Sequence, residues 1–136
     1  MRSFLDTSIL VYADAGDEPI KQQRALALIS EHRRARSGVV STQVLQEYVN
    51  VALRKLGLPA AVVRERLGFY ARFEVLTVTS ALIADALDLH VAHKVSFYDA
   101  LIAQAAVASG CALLLSEDLQ DGAVIGGVRV ANPFRE

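Results

Sequence analysis

Four acidic residues stand out by the sequence around them: Asp6, Glu47, Asp99 and Asp118. Asp6 closes the short apolar run Ser3-Phe4-Leu5 and is followed by two hydroxyls, Thr7 and Ser8. Glu47 lies beside an apolar stripe of helical spacing. Asp99 comes three residues after Ser96, at the head of an alanine-rich segment. Asp118 follows Leu114-Leu115-Ser116-Glu117. Carboxylates brought within ~4 Å of one another repel by about 4 kcal/mol per pair at an effective dielectric near 20. A fold that converges four of them therefore needs a compensating cation. Oxygen-only ligands select a hard divalent ion, Mg²⁺ or Mn²⁺, over zinc. Such an ion, keeping its waters, suits phosphodiester hydrolysis: it lowers the pKa of a bound water and neutralises charge on the phosphate and leaving oxygen. The hydroxyls of Thr7, Ser8 and Ser116 are placed to orient carboxylates or waters around it.

Each acid also has a purely structural reading. Asp6 is a good N-cap for a helix that follows it. Ser96-x-x-Asp99 before an apolar run is a capping-box pattern with Asp in place of the usual Glu or Gln. Glu47 taken alone is a solvated helix residue, and Asp118, Glu117 and Asp121 are ordinary turn acids. The functional reading rests on the four converging.

The elements that must position them alternate in type. Strands are expected at Ser3–Leu5, Val39–Ser41, Val75–Val78, Ala112–Leu115 and Val128–Val130. Helices are expected from Thr7 to about Tyr12 and from Asp17-Glu18-Pro19 to near Ser37-Gly38. The next runs from a cap at Ser41 or Thr42 to about Leu56. Others span Pro59 to Phe73, the segment after a Thr79 cap, with Leu82, Ile83, Ala86, Leu87 and His90 on it, and Ser96 to Ser109-Gly110. The second helix is given the apolar face Ile20, Ala25, Leu26, Leu28 and Ile29. The third is given the stripe Val44, Leu45, Tyr48, Val49, Ala52, Leu53 and Leu56. Leu10, Val11 and Tyr12 are read as core. Ala112–Leu115 is the most continuously apolar strand and so central, buried on both faces. Strand–helix alternation predicts a three-layer α/β sandwich, a mostly parallel sheet of about five strands flanked by helices, in a single domain over residues 1–136. Right-handed crossovers bring strand carboxyl ends and helix amino ends to one rim. Asp6 and the Ser116–Asp118 segment lie at such strand ends, and Asp99 and Glu47 in early helical turns, so four distant acids can share one edge.

The bulk numbers narrow the class. The chain has 136 residues, 53% hydrophobic and 21% charged, which excludes disorder. A net charge of -1 excludes a uniformly basic nucleic-acid binder. Any nucleic-acid contact must be local, at Arg33-Arg34-Arg36, at Arg64 and Arg66, or at Arg72 and Lys94. The single cysteine, Cys111, forbids an internal disulfide and reads as a buried thiol. His90 and His93 read as surface or core histidines. No apolar run reaches the ~18 residues of a membrane span, and Asp6 interrupts any signal-peptide core, so the expected location is the cytoplasm.

The motifs Phe4-Leu5-Asp6-Thr7-Ser8, Glu47 in the helix after the second strand, Ser96-Phe97-Tyr98-Asp99-Ala100-Leu101-Ile102 and Leu114-Leu115-Ser116-Glu117-Asp118-Leu119 resemble the PIN domain over the full length of the chain. Within it, the chain is most similar to the small ribonuclease toxins of VapBC-type toxin–antitoxin pairs. The resemblance implies a metal-dependent endoribonuclease using Mg²⁺ or Mn²⁺, with Asp6, Glu47, Asp99 and Asp118 as its four acids. It implies supporting hydroxyls at Thr7 or Ser8 and at Ser116. Glu117 is the alternative fourth acid, and Asp121 an additional acid that joins the site or only binds water. It further implies an RNA substrate, a homodimer, and a small antitoxin whose C-terminal tail crosses the active groove. Similar domains also serve in RNA processing and quality control.

Two other classes compete. A haloacid-dehalogenase-type phosphotransferase needs a second Asp two residues after the first, where Ser8 stands. A receiver-type signalling module needs an Asp at the end of a mid-chain strand, where Thr77 and Thr79 stand. A catalytically silent PIN scaffold would have lost one of the acids.

Overall fold

The computed structural model describes residues 1–135. Its strands are β1 (Ser3–Leu5), β2 (Gly38–Ser41), β3 (Glu74–Leu76), β4 (Leu113–Leu115), β5 (Val124–Ile125) and β6 (Val128–Ala131). Its helices are α1 (Thr7–Tyr12), α2 (Pro19–Ala35), α3 (Thr42–Arg54), α4 (Ala60–Tyr70), α5 (Ser80–His93) and α6 (Phe97–Ala108). The strands form one sheet in the order β3-β2-β1-β4-β6-β5, parallel except for β5, which runs antiparallel to β6. Right-handed crossovers carry the chain outward through α1 to α4 on one face and back through α5 and α6 on the other. The helix contacts match: α1 packs on α2 and α3, α3 on α4, and α5 on α6.

β1 and β4 are neighbours at the middle of the sheet, in register at Ser3–Leu113, Phe4–Leu114 and Leu5–Leu115. Covered on both faces, they carry the continuous apolar sequence such strands require; Phe4, Leu5 and Leu114 are all but inaccessible to solvent. The chain reverses direction of travel across the sheet between these two strands, and it is there that open α/β sheets leave a crevice at the strand carboxyl ends.

The sheet has six strands where about five are expected. The extra one, β5, has only two residues, too few to show a period. Its signal is the Gly126-Gly127 pair between Ile125 and Val128, both glycines at positive φ (56° and 84°) in a two-residue hairpin. β3 begins one residue early and stops at Leu76; beyond it the Val78 N–H donates to Thr42 Oγ1 of α3 (3.0 Å), and Thr79 caps α5. The apolar faces are also narrower than expected. Ile20 (80% exposed), Leu26, Leu53, Ile83 and Leu87 face outward, since flanking Ala25, Leu28, Ile29, Ala52, Leu82 and Ala86 already fill the space against the sheet. Cys111 is buried, and desolvation pushes its thiol pKa up, as an inert core thiol requires.

At Gly126 a Cβ would stand 2.7 Å from Val107 Cγ2. Gly126→Ala is therefore expected to cost about 1–3 kcal/mol of stability by urea unfolding. Gly127→Ala has a similar positive φ but no heavy atom within 4 Å, and is expected to cost less.

Candidate active site

The carboxyl ends of β1 and β4 open into a cleft of about 630 Å³. Its walls include Asp6, Thr7, Ser8, Gln43, Glu47, Tyr98, Asp99, Glu117 and Asp118. All four expected acids thus border one cavity, delivered by β1, α3, α6 and the segment after β4.

Asp6 is the most constrained. Its backbone N–H donates to Leu115 O (3.0 Å), continuing the β1–β4 ladder for one more residue. Its Oδ1 accepts the Thr7 N–H (2.6 Å) and its Oδ2 accepts the Ser116 hydroxyl (2.6 Å). Asp6 does cap α1, so the structural reading and the cleft position are both true of it. Burial pushes its pKa up to about 6. The two hydrogen bonds work against that rise, and the charges of Asp118 and Glu47 add to it.

The hydroxyls divide the labour. Thr7 Oγ1 donates to Glu47 Oε1 at 2.7 Å, tying the first turn of α1 to α3. Ser116 Oγ also accepts the Asp118 N–H (3.1 Å), so one buried hydroxyl joins Asp6 to the backbone carrying Asp118. Ser8 borders the cleft, but its Oγ is buried with no hydrogen-bond partner among the described residues. In α6, Ser96 Oγ accepts the Asp99 N–H at 3.1 Å, so the cap is made by the serine. Among the described residues the Asp99 carboxylate returns no bond to Ser96, and it faces the cleft instead. Partial burial, then Asp99 and Glu117, raise the Asp118 pKa.

The two uncertain acids go different ways. Glu117 borders the cleft, yet its oxygens are taken by the Tyr12 hydroxyl (2.6 Å) and Lys21 Nζ (2.8 Å). Burial alone would raise its pKa; these two partners outweigh burial and hold it down. Asp121 is not in the cleft: it accepts the Asn132 N–H (2.9 Å) and pairs with Arg135 (3.4 Å), pinning the last described residues.

Three features escaped the sequence reading. Tyr12, read as core, presents its hydroxyl to Glu117 and its ring to Lys21 Nζ (4.7 Å from the centroid) and to Phe134 (4.8 Å between centroids). Gln43 reaches from α3 to donate to Tyr98 O (3.3 Å), next to Asp99. Asp14, at the end of α1, accepts from the buried Tyr48 hydroxyl (2.5 Å) and from Arg66 Nε (3.0 Å), locking α1 to α3 and α4. The i+4 spacing of Gln43 and Glu47 was a usable signal for Gln43; none existed for the other two contacts.

Among the described residues, Asp6, Glu47, Asp99 and Asp118 form no ion pair. Lys55 also borders the cleft but pairs with none of them, so their mutual repulsion is not relieved by a direct ion pair. The donors are all carboxylate oxygens, which suits Mg²⁺ or Mn²⁺. As they stand, no three Asp, Glu, His or Cys side chains among the described residues are grouped closely enough to hold a metal ion between them. Mg²⁺, which keeps several of its waters, asks for only one or two protein carboxylates.

The sheet order and the acid-lined cleft where β1 meets β4 define the class: an α/β domain with a carboxylate centre at its topological switch point. The family model of the PIN domain matches residues 3–120, and the chain belongs to that family. No curated protein sequence matches it. Among solved structures, it is similar to a toxin–antitoxin complex from Klebsiella pneumoniae, at 18% identity and TM-score 0.71, covering 96% of this chain and 97% of that one. It is similar to VapC20 of Mycobacterium tuberculosis, described as a sarcin–ricin loop cleaving toxin, at 24% identity and TM-score 0.66, covering 85% and 91%. VapBC2 of Rickettsia felis, bound to a fragment of its promoter DNA, gives 17% identity and TM-score 0.67, covering 97% and 98%. At these identities the likeness shows the fold.

Proposed function

We propose that this chain is a metal-dependent endoribonuclease, the toxin of a toxin–antitoxin pair. The observation that carries the reading is one cleft bordered by four carboxylates that make no ion pair among the described residues. Family membership and full-length similarity to toxin structures support it.

Asp6, Glu47, Asp99 and Asp118 would hold the ion, directly or through its waters. Mg²⁺ or Mn²⁺, when bound, supplies a water of lowered pKa and screens the charge on the phosphate. The chain's own part is positioning. Ser116 fixes Asp6 relative to Asp118, Thr7 fixes Glu47, and the burial that raises the Asp6 pKa makes the site favour a divalent partner over water. Glu117, occupied by Lys21 and Tyr12, supports Asp118 as the fourth ligand. The partners are an RNA substrate, a small antitoxin protein occupying the cleft, and a second copy of the chain in a homodimer. An RNA target puts the reaction in the cytoplasm, and among the described residues no helix is long and apolar enough to cross a membrane.

The test is metal titration followed by RNA cleavage. Mn²⁺ is expected to raise the melting temperature of the purified protein. Cleavage of RNA is expected to require Mg²⁺ or Mn²⁺, to stop on chelation and to be lost in Asp99→Asn. Absence of any thermal shift with Mn²⁺, together with no cleavage, would favour a silent binding scaffold instead.

A further inference from the structure

The opposite rim of the sheet is the electrostatic reverse of the cleft. There α2 passes through Arg36 and Ser37 into β2, and Arg72 and Phe73 lead into β3. Between them lies a second cavity of about 460 Å³, bordered by Arg33, Arg36 and Arg72. Among the described residues, the one acid on its wall is Glu74, and that carboxylate is paired with Arg2. The three guanidiniums form no ion pair among the described residues.

Two details set these arginines apart from a solvated basic surface. Arg33 lays its guanidinium over the Phe69 ring, 5.0 Å from the centroid, and its Nη1 is buried without a hydrogen-bond partner among the described residues. A buried guanidinium donor with no acceptor is unfavourable until a ligand brings one. Arg36 holds φ at 53°, the left-handed conformation in which helices end on glycine, so this position keeps a long cationic side chain against its backbone preference. Basic residues do complement a helix C-terminus. Here, however, the carbonyls of His32 and Arg33 already accept the Ser37 and Arg36 backbone N–H groups. That explanation also leaves Arg72, from another element, without a role.

We propose that this cavity is a phosphate-binding site that anchors a backbone phosphate of the RNA outside the segment entering the cleft. The inference rests on the nuclease reading for its RNA, and on geometry alone for its phosphate chemistry. The cleft wall carries more acids than bases, so cations elsewhere would add to the affinity for a polyanion. β2, four residues long, separates the two rims by about 13 Å at ~3.3 Å per residue, a distance a structured RNA spans. Planar guanidiniums from two directions match the oxygens of a phosphate.

The test uses the double variant Arg36→Gly/Arg72→Ala. Glycine is favoured at residue 36, so its melting temperature is expected to equal or exceed that of the unaltered protein. In metal-free protein, inorganic phosphate is expected to shift the NMR signals of the Arg33 side chain and the Gly38 amide, and to lose that effect in the variant. The variant is expected to bind a fluorescent stem-loop RNA at least tenfold more weakly, with the slope of log affinity against log salt smaller by about 1–2, at ~0.7–0.9 per phosphate contact. Phosphate-induced shifts with unchanged RNA affinity would assign the cavity to free phosphate or a nucleotide and overturn the RNA anchor. No shifts and unchanged affinity would overturn the site altogether. If the unaltered protein neither binds nor cleaves RNA, the nuclease reading fails, and the inorganic phosphate titration still decides the cavity.

Discussion

Asp6→Asn is expected to lower RNA cleavage by about 10³-fold or more, and at the same time to make the metal-free protein more stable at neutral and alkaline pH. The loss follows from the place of Asp6 among the carboxylates of the cleft, where the proposed metal would contribute several kcal/mol of charge stabilisation. The gain follows from burial. The folded-state pKa of Asp6 is raised to about 6 from the ordinary 3.8. Above pH 6 the group is ionised in both states, and its buried charge opposes folding by about 3 kcal/mol, at 1.36 kcal/mol per pKa unit. As pH falls from about 6 to 3.8 the folded protein takes up the proton first, and stability rises. Below 3.8 nothing further is gained. An Asn has no charge to bury: its Oδ1 can accept the Thr7 N–H, and its Nδ2 can donate to Ser116 Oγ. The variant should therefore show a flatter pH–stability curve by urea unfolding, converging with the unaltered protein below about pH 4. Mn²⁺ should raise the melting temperature of the unaltered protein more than that of the variant. Equal cleavage by both proteins would remove Asp6 from the site.

Ser116→Ala carries the second largest expected effect. The hydroxyl is fully buried, donates to Asp6 Oδ2 and accepts the Asp118 N–H. Its removal leaves a carboxylate oxygen and a backbone donor unpaired, one of them part of a charge-assisted bond, and is expected to cost about 2–4 kcal/mol. Cleavage should fall about 10- to 100-fold, the usual consequence of losing a group that orients metal ligands. Ser8→Ala is the control. Ser8 is equally close to Asp6 in sequence, but its Oγ makes no hydrogen bond among the described residues, and its loss should change stability by no more than about 0.5 kcal/mol. Urea unfolding and initial cleavage rates separate the two serines.

That contrast shows what the sequence could and could not carry. The meeting of Asp6, Glu47, Asp99 and Asp118 at one cleft was legible, because parallel strands joined by right-handed crossovers leave few places for residues at strand ends and early helical turns. Which hydroxyl serves which acid was not. Thr7, Ser8 and Ser116 differ only in side-chain direction, fixed by how α1 leaves β1 and how far the β1–β4 ladder extends. What sets Glu117 apart from Asp118 is Lys21, ninety-six residues away from Glu117 and read only as part of a helix. Asp121 looked like a further acid because its distance from Asp118 in sequence is short; the chain turns before it, and its partners are Asn132 and Arg135. The apolar faces of α2 and α5 were overestimated for a plainer reason: periodicity says which side a residue is on, not whether alanines beside it have already closed the gap.

The adjacency of β1 and β4 bears on when the protein can act during its own synthesis. Asp6 and the hydroxyl that holds it are separated by 110 residues, which at ~5–20 residues per second is roughly 5–20 s of translation. Until β4 is made, Asp6 has neither its Ser116 bond nor the backbone bond to Leu115, and Asp99 and Asp118 have not reached its side. A chain cut short by a stalled ribosome therefore carries its first acid but no assembled centre. For a protein whose proposed target is RNA, the centre of the sheet would act as a delay: the proposed activity waits until the segment carrying Ser116 and Asp118 has been made.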